Sequence, residues 1–181
     1  NHSFIDFLGE QTSVCPVLRD NRSDNVFDTD LLQPFQQRLE KHRGERLFVV
    51  LHTYGSHFSY VDRYPASMRT FGSDKYDGAK ARYRQQLINA YDNSIRQTDH
   101  LLGLVTQALT ARGGSAAMMY TSDHGEDIFD DARHLFLHAS PFPSFWQLHV
   151  PLIVWTSADY RQRHADIVSC LDANRHRKAE S

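Results

Sequence analysis

The chain has 181 residues, enough for one domain or a large part of one. Apolar residues make up 40% and aromatics 12%, which supports a sizeable core and excludes a disordered chain. A formal net charge of -2 excludes the basic surface that nucleic-acid binding requires.

Two cysteines, Cys15 and Cys170, lie far apart and form no metal-type pair. Their spacing leaves both their pairing and the redox compartment open. No apolar run approaches the length of a transmembrane helix, and no basic-then-apolar leader pattern opens the chain. The chain begins at Asn1 without an initiator Met, as a processed or excised piece does. It reads as soluble, and this says little about a parent protein.

In chain order, the first helix is predicted over 28–42. Asp28, Thr29 and Asp30 favour its first turn, and Leu31, Leu32, Phe35 and Leu39 share one side. Pro34 fits only in that first turn, and Gly44 can end the helix. LFVVLHT at 47–53 follows as a short apolar strand. Segment 54–78 is loop-rich, with Gly55, Pro65, Gly72 and Gly78. The longest helix runs over 79–111, with Ile88, Tyr91, Ile95, Leu102, Val105 and Leu109 as one apolar stripe. Gly113 and Gly114 stop it, and AAMMYTS at 116–122 is the second strand. Segment 123–149 is irregular, and VPLIVWT at 150–156 is the third strand. The tail is helical from Ala158 and frayed over 172–181.

Strands this short, apolar on both faces and separated by helices, predict an α/β fold with a mostly parallel sheet flanked by helices. Strand 47–53, helix 79–111 and strand 116–122 would form a right-handed βαβ unit. All 181 residues are assigned to one domain. Ligands of open α/β sheets bind beyond the strand C-termini, which points to the loops after residues 53 and 122.

Histidines gather in those loops. His52 and His57 lie at and just after the end of the first strand, and Asp123 and His124 lie just after the second. His134 and His138 lie in the loop beyond. An imidazole and a carboxylate side by side at a strand end suit a divalent metal. In the string SDHGE at 122–126, Asp123 offers a hard oxygen and His124 a borderline nitrogen. Gly125 allows a tight turn, and Glu126 stands at the rim. An ordinary strand-ending turn uses the same residue types, so the local string alone leaves both readings open.

LHTYGSH at 51–57, NAYDN at 89–93, SDHGE at 122–126, LHAS at 137–140 and VPLIVW at 150–155 together resemble the sulfatase-type branch of the alkaline phosphatase superfamily. The similarity is greatest to bacterial phosphoethanolamine transferases. It implies an alkaline-phosphatase-like fold, incomplete at its N-terminal side, and places the chain in the C-terminal part of the catalytic domain.

The resemblance assigns Asp123 and His124 as metal ligands, with zinc the expected metal and calcium or manganese as alternatives. It makes His57 and His138 catalytic residues at the transferred phosphoryl group, and Glu126 a substrate-binding residue near the donor head group. His138 is preferred to His134, His52 reads as structural, Tyr91 as core, and NAYDN as a brace.

The implied reaction is transfer of phosphoethanolamine from a phospholipid to a cell-envelope acceptor. It would run at the periplasmic face of the bacterial inner membrane, through a Thr nucleophile missing from this chain. Upstream segments would supply the membrane anchor, and the chain alone would be inactive. A homo-oligomer could cover an exposed sheet edge. A sulfatase or phosphodiesterase would share the same metal half. A non-catalytic metal-binding or interaction module is the alternative from another class.

Several strings depart from the pattern. His57-Phe58-Ser59 replaces the usual Gly-Pro after the histidine, and Leu137-His138-Ala139 replaces Leu-His-Gly. Two cysteines cannot supply the several disulfides typical of the transferases. CPVLR at 15–19 fails the sulfatase C-x-P-x-R signal because Pro16 follows Cys15 directly. NHSFIDFLGE at 1–10 resembles the stretch after the nucleophile half.

Overall fold

A computed structural model describes residues 26–138 and 140–178. Cys15 and the segments at 1–10 and 15–19 fall outside the described residues; Cys170 is exposed as a free thiol.

A 3-10 turn, Asp28–Leu31, leads into α1, Leu32–Lys41. Asp30 accepts the Phe27 amide at 2.9 Å, satisfying one of the donors that a helix start leaves open. Pro34 sits in the first turn of α1, where its missing N–H costs nothing. Phe35 and Leu39 are the buried residues of α1, and they pack on Leu101, Val105 and Ala108 of α2, Arg84–Arg112. Arg112 donates to the carbonyls of His42 and Glu45 at 3.1 and 3.0 Å, tying the exit of α1 to the end of α2.

The buried face of α2 differs from the predicted stripe. Leu87, Ala90, Asn93, Ser94, Gln97, Leu101 and Ala108 are buried, while Ile95 is exposed. Val105 alone of the six predicted residues is fully buried. A hydrophobicity pattern misses this face because polar side chains with hydrogen-bond partners occupy its middle. Gly113 and Gly114, at φ 75° and 78°, take the left-handed backbone that ends the helix.

β1, Ala117–Thr121, and β4, Leu152–Thr156, fall within the predicted second and third strands. They pair antiparallel, Ala117 opposite Thr156 and Thr121 opposite Leu152. Among the described residues the pairing is therefore antiparallel, not the parallel arrangement expected. Residues 47–53 carry no strand assignment, so the predicted βαβ unit is not formed here. A strand exists only through a paired neighbour, and the described residues offer this apolar segment none. Leu47 and Leu51 pack on the α1–α2 cluster, whereas Phe48 is 93% exposed. Met119, Leu152, Ile153 and Val154 also face solvent, so both strands keep uncovered apolar surface.

The segment after β1 is more ordered than expected. β2, Asp127–Ile128, and β3, Phe136–Leu137, form a short antiparallel hairpin, Asp127 opposite Leu137. A one-turn helix α3, Phe145–Leu148, follows, capped by the Ser144 hydroxyl. After β4, Ser157 caps α4, Ala158–Arg163, and its hydroxyl also accepts the Ala116 amide at 3.0 Å. The last helix, α5, spans Ala165–Asn174, so helix continues past the predicted fraying point at 172. No described helix is long and apolar enough to cross a membrane.

A second core cluster, Tyr60, Leu87, Ala90 and Ile128, joins the 54–78 loop, α2 and the β2–β3 hairpin. It lies beneath the polar residues described next.

Candidate metal and phosphoryl-transfer site

Two loops carry the histidines, and each is anchored by polar contacts. Asp28 accepts the amides of Tyr54 and Gly55 at 2.9 and 2.8 Å, which fixes the approach to His57. Further along that loop, Asn93 of α2 accepts the amides of Thr70 and Phe71 and donates to the Phe71 carbonyl. Asp74, buried beside it, takes the Tyr64 hydroxyl at 2.8 Å and the Arg69 guanidinium at 2.7 Å. NAYDN, read as a brace, thus contributes its last residue to holding the loop.

The second loop leaves β1 at Ser122. Gly125 donates its amide to the Gln147 carbonyl at 2.8 Å. A β-carbon at Gly125 would stand 2.1 Å from the Trp146 carbonyl oxygen. Close approach, not backbone angle, is what requires glycine here. Gln147 is further held by donating its amide to buried Asp127.

These anchors bring three histidine rings together. His124 and His138 stack with centroids 3.7 Å apart, and His57 meets His138 edge-on at 6.2 Å. His57 donates from Nδ1 to the Phe58 carbonyl at 2.7 Å, and His124 from Nδ1 to the Gly125 carbonyl at 3.0 Å. Both rings therefore keep Nε2 as a lone-pair donor. Asp123 Oδ2 lies 3.7 Å from His124 Nε2, and the Asp123 side chain is 88% exposed. That gap exceeds a hydrogen bond. It is near the span of two donors on one tetrahedral ion, about 3.4 Å for bonds of about 2.1 Å.

Glu126 is buried, not at the rim. It accepts the Tyr60 hydroxyl on one oxygen and His138 Nδ1 on the other at 3.3 Å. His124, Glu126 and His138 each offer a donor atom within 4.8 Å of the others, a set suited to a divalent metal. His134 is exposed on the turn after Asp131 and His52 is exposed after residue 51; neither belongs to this set.

A cleft of about 420 Å³ opens beside the cluster. Its lining includes His124, Gly125 and Glu126, with Tyr91, Ile95 and Leu102 of α2 and Tyr120, Trp146 and Ile153. Half of the predicted stripe of α2 is thus cleft wall, and Tyr91, expected as core, borders both cleft and core. Burial, then the charge of Glu126, push the Tyr91 phenol up to about 12. The same two causes raise Tyr60 well above the ordinary phenol range, so it stays a hydrogen-bond donor.

Tyr60, Asp127 and Gln147 carry no sequence signal of their role. A tyrosine in a loop, an aspartate after SDHGE and a glutamine in a Pro-rich stretch are ordinary until the fold places them.

The Sulfatase family model matches residues 1–174. Kdo(2)-lipid A phosphoethanolamine 7''-transferase of Escherichia coli strain K12 is 34% identical over 148 residues, covering 81% of this chain and 25% of that protein. Phosphoethanolamine transferase EptA of Helicobacter pylori is 32% identical over 149 residues, covering 78% and 27%. Among solved structures, the soluble domain of lipooligosaccharide phosphoethanolamine transferase A from Neisseria meningitidis superposes with a TM-score of 0.77 at 29% identity. That match covers 91% of this chain and 50% of that one. The C-terminal periplasmic domain of EptC from Escherichia coli, in complex with Zn, gives 0.76 at 25% identity over 91% and 47%. The chain spans about a quarter of the length of the curated relatives it matches and about half of these solved domains. The fold is thus the alkaline-phosphatase-like α/β fold of these periplasmic domains, and the chain belongs to the Sulfatase family.

Proposed function

We propose that this chain is the C-terminal part of the catalytic domain of a phosphoethanolamine transferase. The convergence of His57, His124 and His138 at the end of β1 carries the reading. The relatives named above, which transfer phosphoethanolamine, supply the reaction class. The donor is a phospholipid and the acceptor a cell-envelope lipid. The place is the periplasmic face of the bacterial inner membrane, reached through a membrane anchor outside this chain. A second copy can cover the apolar strands.

Asp123 and His124 would hold a zinc ion, with His138, paired to Glu126, stacked against His124. Bound there, the metal supplies Lewis-acid charge against phosphate oxygens. His57 and His138 stand at the transferred phosphoryl group; when a ring is protonated on Nε2 as well as Nδ1, it would steady the nonbridging oxygens as charge builds on them or protonate the leaving oxygen. Glu126 sets a negative charge in the cleft lining, which favours the ammonium of an ethanolamine head group. A Thr outside this chain is the nucleophile. The head-group phosphoryl passes to it with release of diacylglycerol, then to the acceptor hydroxyl.

The test uses a polypeptide carrying this chain with the preceding half of its domain, zinc and head-group-labelled phosphatidylethanolamine. Label should pass to lipid A, fall by orders of magnitude in Asp123→Ala and His124→Ala, and vanish with a chelator until zinc returns. Residues 1–181 alone should be inactive. Full activity in either variant rejects the site. Turnover of aryl sulfate alone points to a sulfatase, and zinc binding without turnover to a binding module.

A further inference from the structure

Glu126 has both oxygens engaged, and the residue on its far side is assigned no role by motif. Tyr60 is fully buried, and its ring is packed edge-on by Phe58 at 5.4 Å and Tyr91 at 5.1 Å. Phe136 of β3, whose neighbour Leu137 pairs with Asp127, also borders that ring. The hydroxyl is therefore a fixed donor, held by aromatic neighbours on three elements. It donates to Glu126 Oε2, which leaves Oε1 facing His138 Nδ1 at 3.3 Å. A carboxylate only accepts, so His138 must carry its proton on Nδ1 and leave Nε2 bare. Carboxylates behind functional histidines fix ring and tautomer in this way.

We propose that Tyr60 is a positioning residue: it sets the orientation of Glu126, and through it the tautomer of His138 and the nitrogen that His138 turns to the site. Glu126 then acts through His138 and through its charge. The use of His138 Nε2 rests on the proposed transferase reading. The orientation of Glu126 by Tyr60 does not.

Glu126→Gln separates the two. The amide matches the carboxylate in shape but has one accepting and one donating end. If Tyr60 dictates orientation, its hydroxyl takes the amide oxygen and the NH2 faces His138. The imidazole must then accept, and its proton moves to Nε2. Long-range 15N–1H spectra of the metal-free protein, above the ordinary imidazole pKa, read the tautomer directly. His138 should be mainly Nδ1–H in the wild type and mainly Nε2–H in Glu126→Gln. Adding Tyr60→Phe frees the amide to turn its oxygen to His138, so the double variant should return to Nδ1–H. Adding Tyr76→Phe removes a hydroxyl that bonds Ser59 in the same aromatic cluster, and should leave the Nε2–H form in place. A Glu126→Gln protein that keeps Nδ1–H overturns the proposal by itself, even if the double variant does not fold. So does a Tyr60→Phe double variant that stays Nε2–H, or a Tyr76→Phe one that reverts. None of these results depends on turnover, so failure here leaves the transfer assay to judge the reaction separately.

Discussion

At residue 125 the limiting quantity is space. The β-carbon of an alanine would sit 2.1 Å from a backbone oxygen that cannot rotate away. Gly125→Ala must push the Trp146–Gln147 backbone off the loop and lengthen the Gly125–Gln147 hydrogen bond, now 2.8 Å. Overpacking of this kind costs about 1–3 kcal/mol. The expected outcome is a lower urea midpoint together with weaker zinc binding, because the same displacement moves His124. Unchanged stability would mean that the loop and α3 are not in contact. Adjacent side chains differ in what they require. Asp123 is solvent-exposed and, among the described residues, its side chain bonds the His124 amide, so Asp123→Ala should leave stability nearly unchanged while removing the proposed zinc ligand.

At the element scale, α2 has two working faces. One buries Leu101, Val105 and Ala108 against α1, and the other presents Tyr91, Ile95 and Leu102 to the cleft. Between them Asn93, fully buried, serves the 70–71 segment with one side chain. Asn93→Ala leaves two amides and a carbonyl without their partner, at about 1–3 kcal/mol for a buried group left unpaired. Urea unfolding should show that loss. Amide exchange at Thr70 and Phe71 should accelerate more than at residues in the middle of α2. Equal acceleration everywhere would show a global effect and not the loss of a local anchor. The loop held by Asn93 begins at the segment carrying His57, so the same anchor bears on the site.

Across the whole molecule, burial of tyrosines sets an alkaline limit. Tyr64 and Tyr91 are both pushed up to about 12, each chiefly by burial, from an ordinary value of 10.0. Below about pH 10 both folded and unfolded chains keep these protons, and the stabilising contribution is whole. From pH 10 upward the unfolded chain ionises first, so the contribution of these two tyrosines falls until about pH 12, where their folded phenols titrate too. Urea midpoints should therefore drop across pH 10–12, and Tyr91→Phe should make the drop shallower. A flat profile over that window would contradict the burial of these phenols. Uncovered apolar residues of β1 and β4 set a different property of the molecule, a surface that another strand or chain can cover.

Much of this arrangement is legible in residue order alone. Asp, Thr and Asp before a Leu-Phe-Leu stripe mark α1, and Gly113-Gly114 mark the end of α2, because caps and left-handed turns are local chemistry. The SDHGE and LHAS strings name the histidines whose rings converge, because a strand end followed by a tight turn is also local. Pairing direction is not local. LFVVLHT looks as strand-like as VPLIVWT, yet only the second finds a partner among the described residues, since a strand is defined by its neighbour's hydrogen bonds. Nor is the buried face of α2, where partnered Asn93 and Gln97 lie between apolar residues. Tyr60 reaches Glu126 across 66 positions, and Gly125 meets Trp146 across a folded loop. Spacing in sequence specified which groups could do chemistry; only packing decided which of them touch, because contact depends on distance through space.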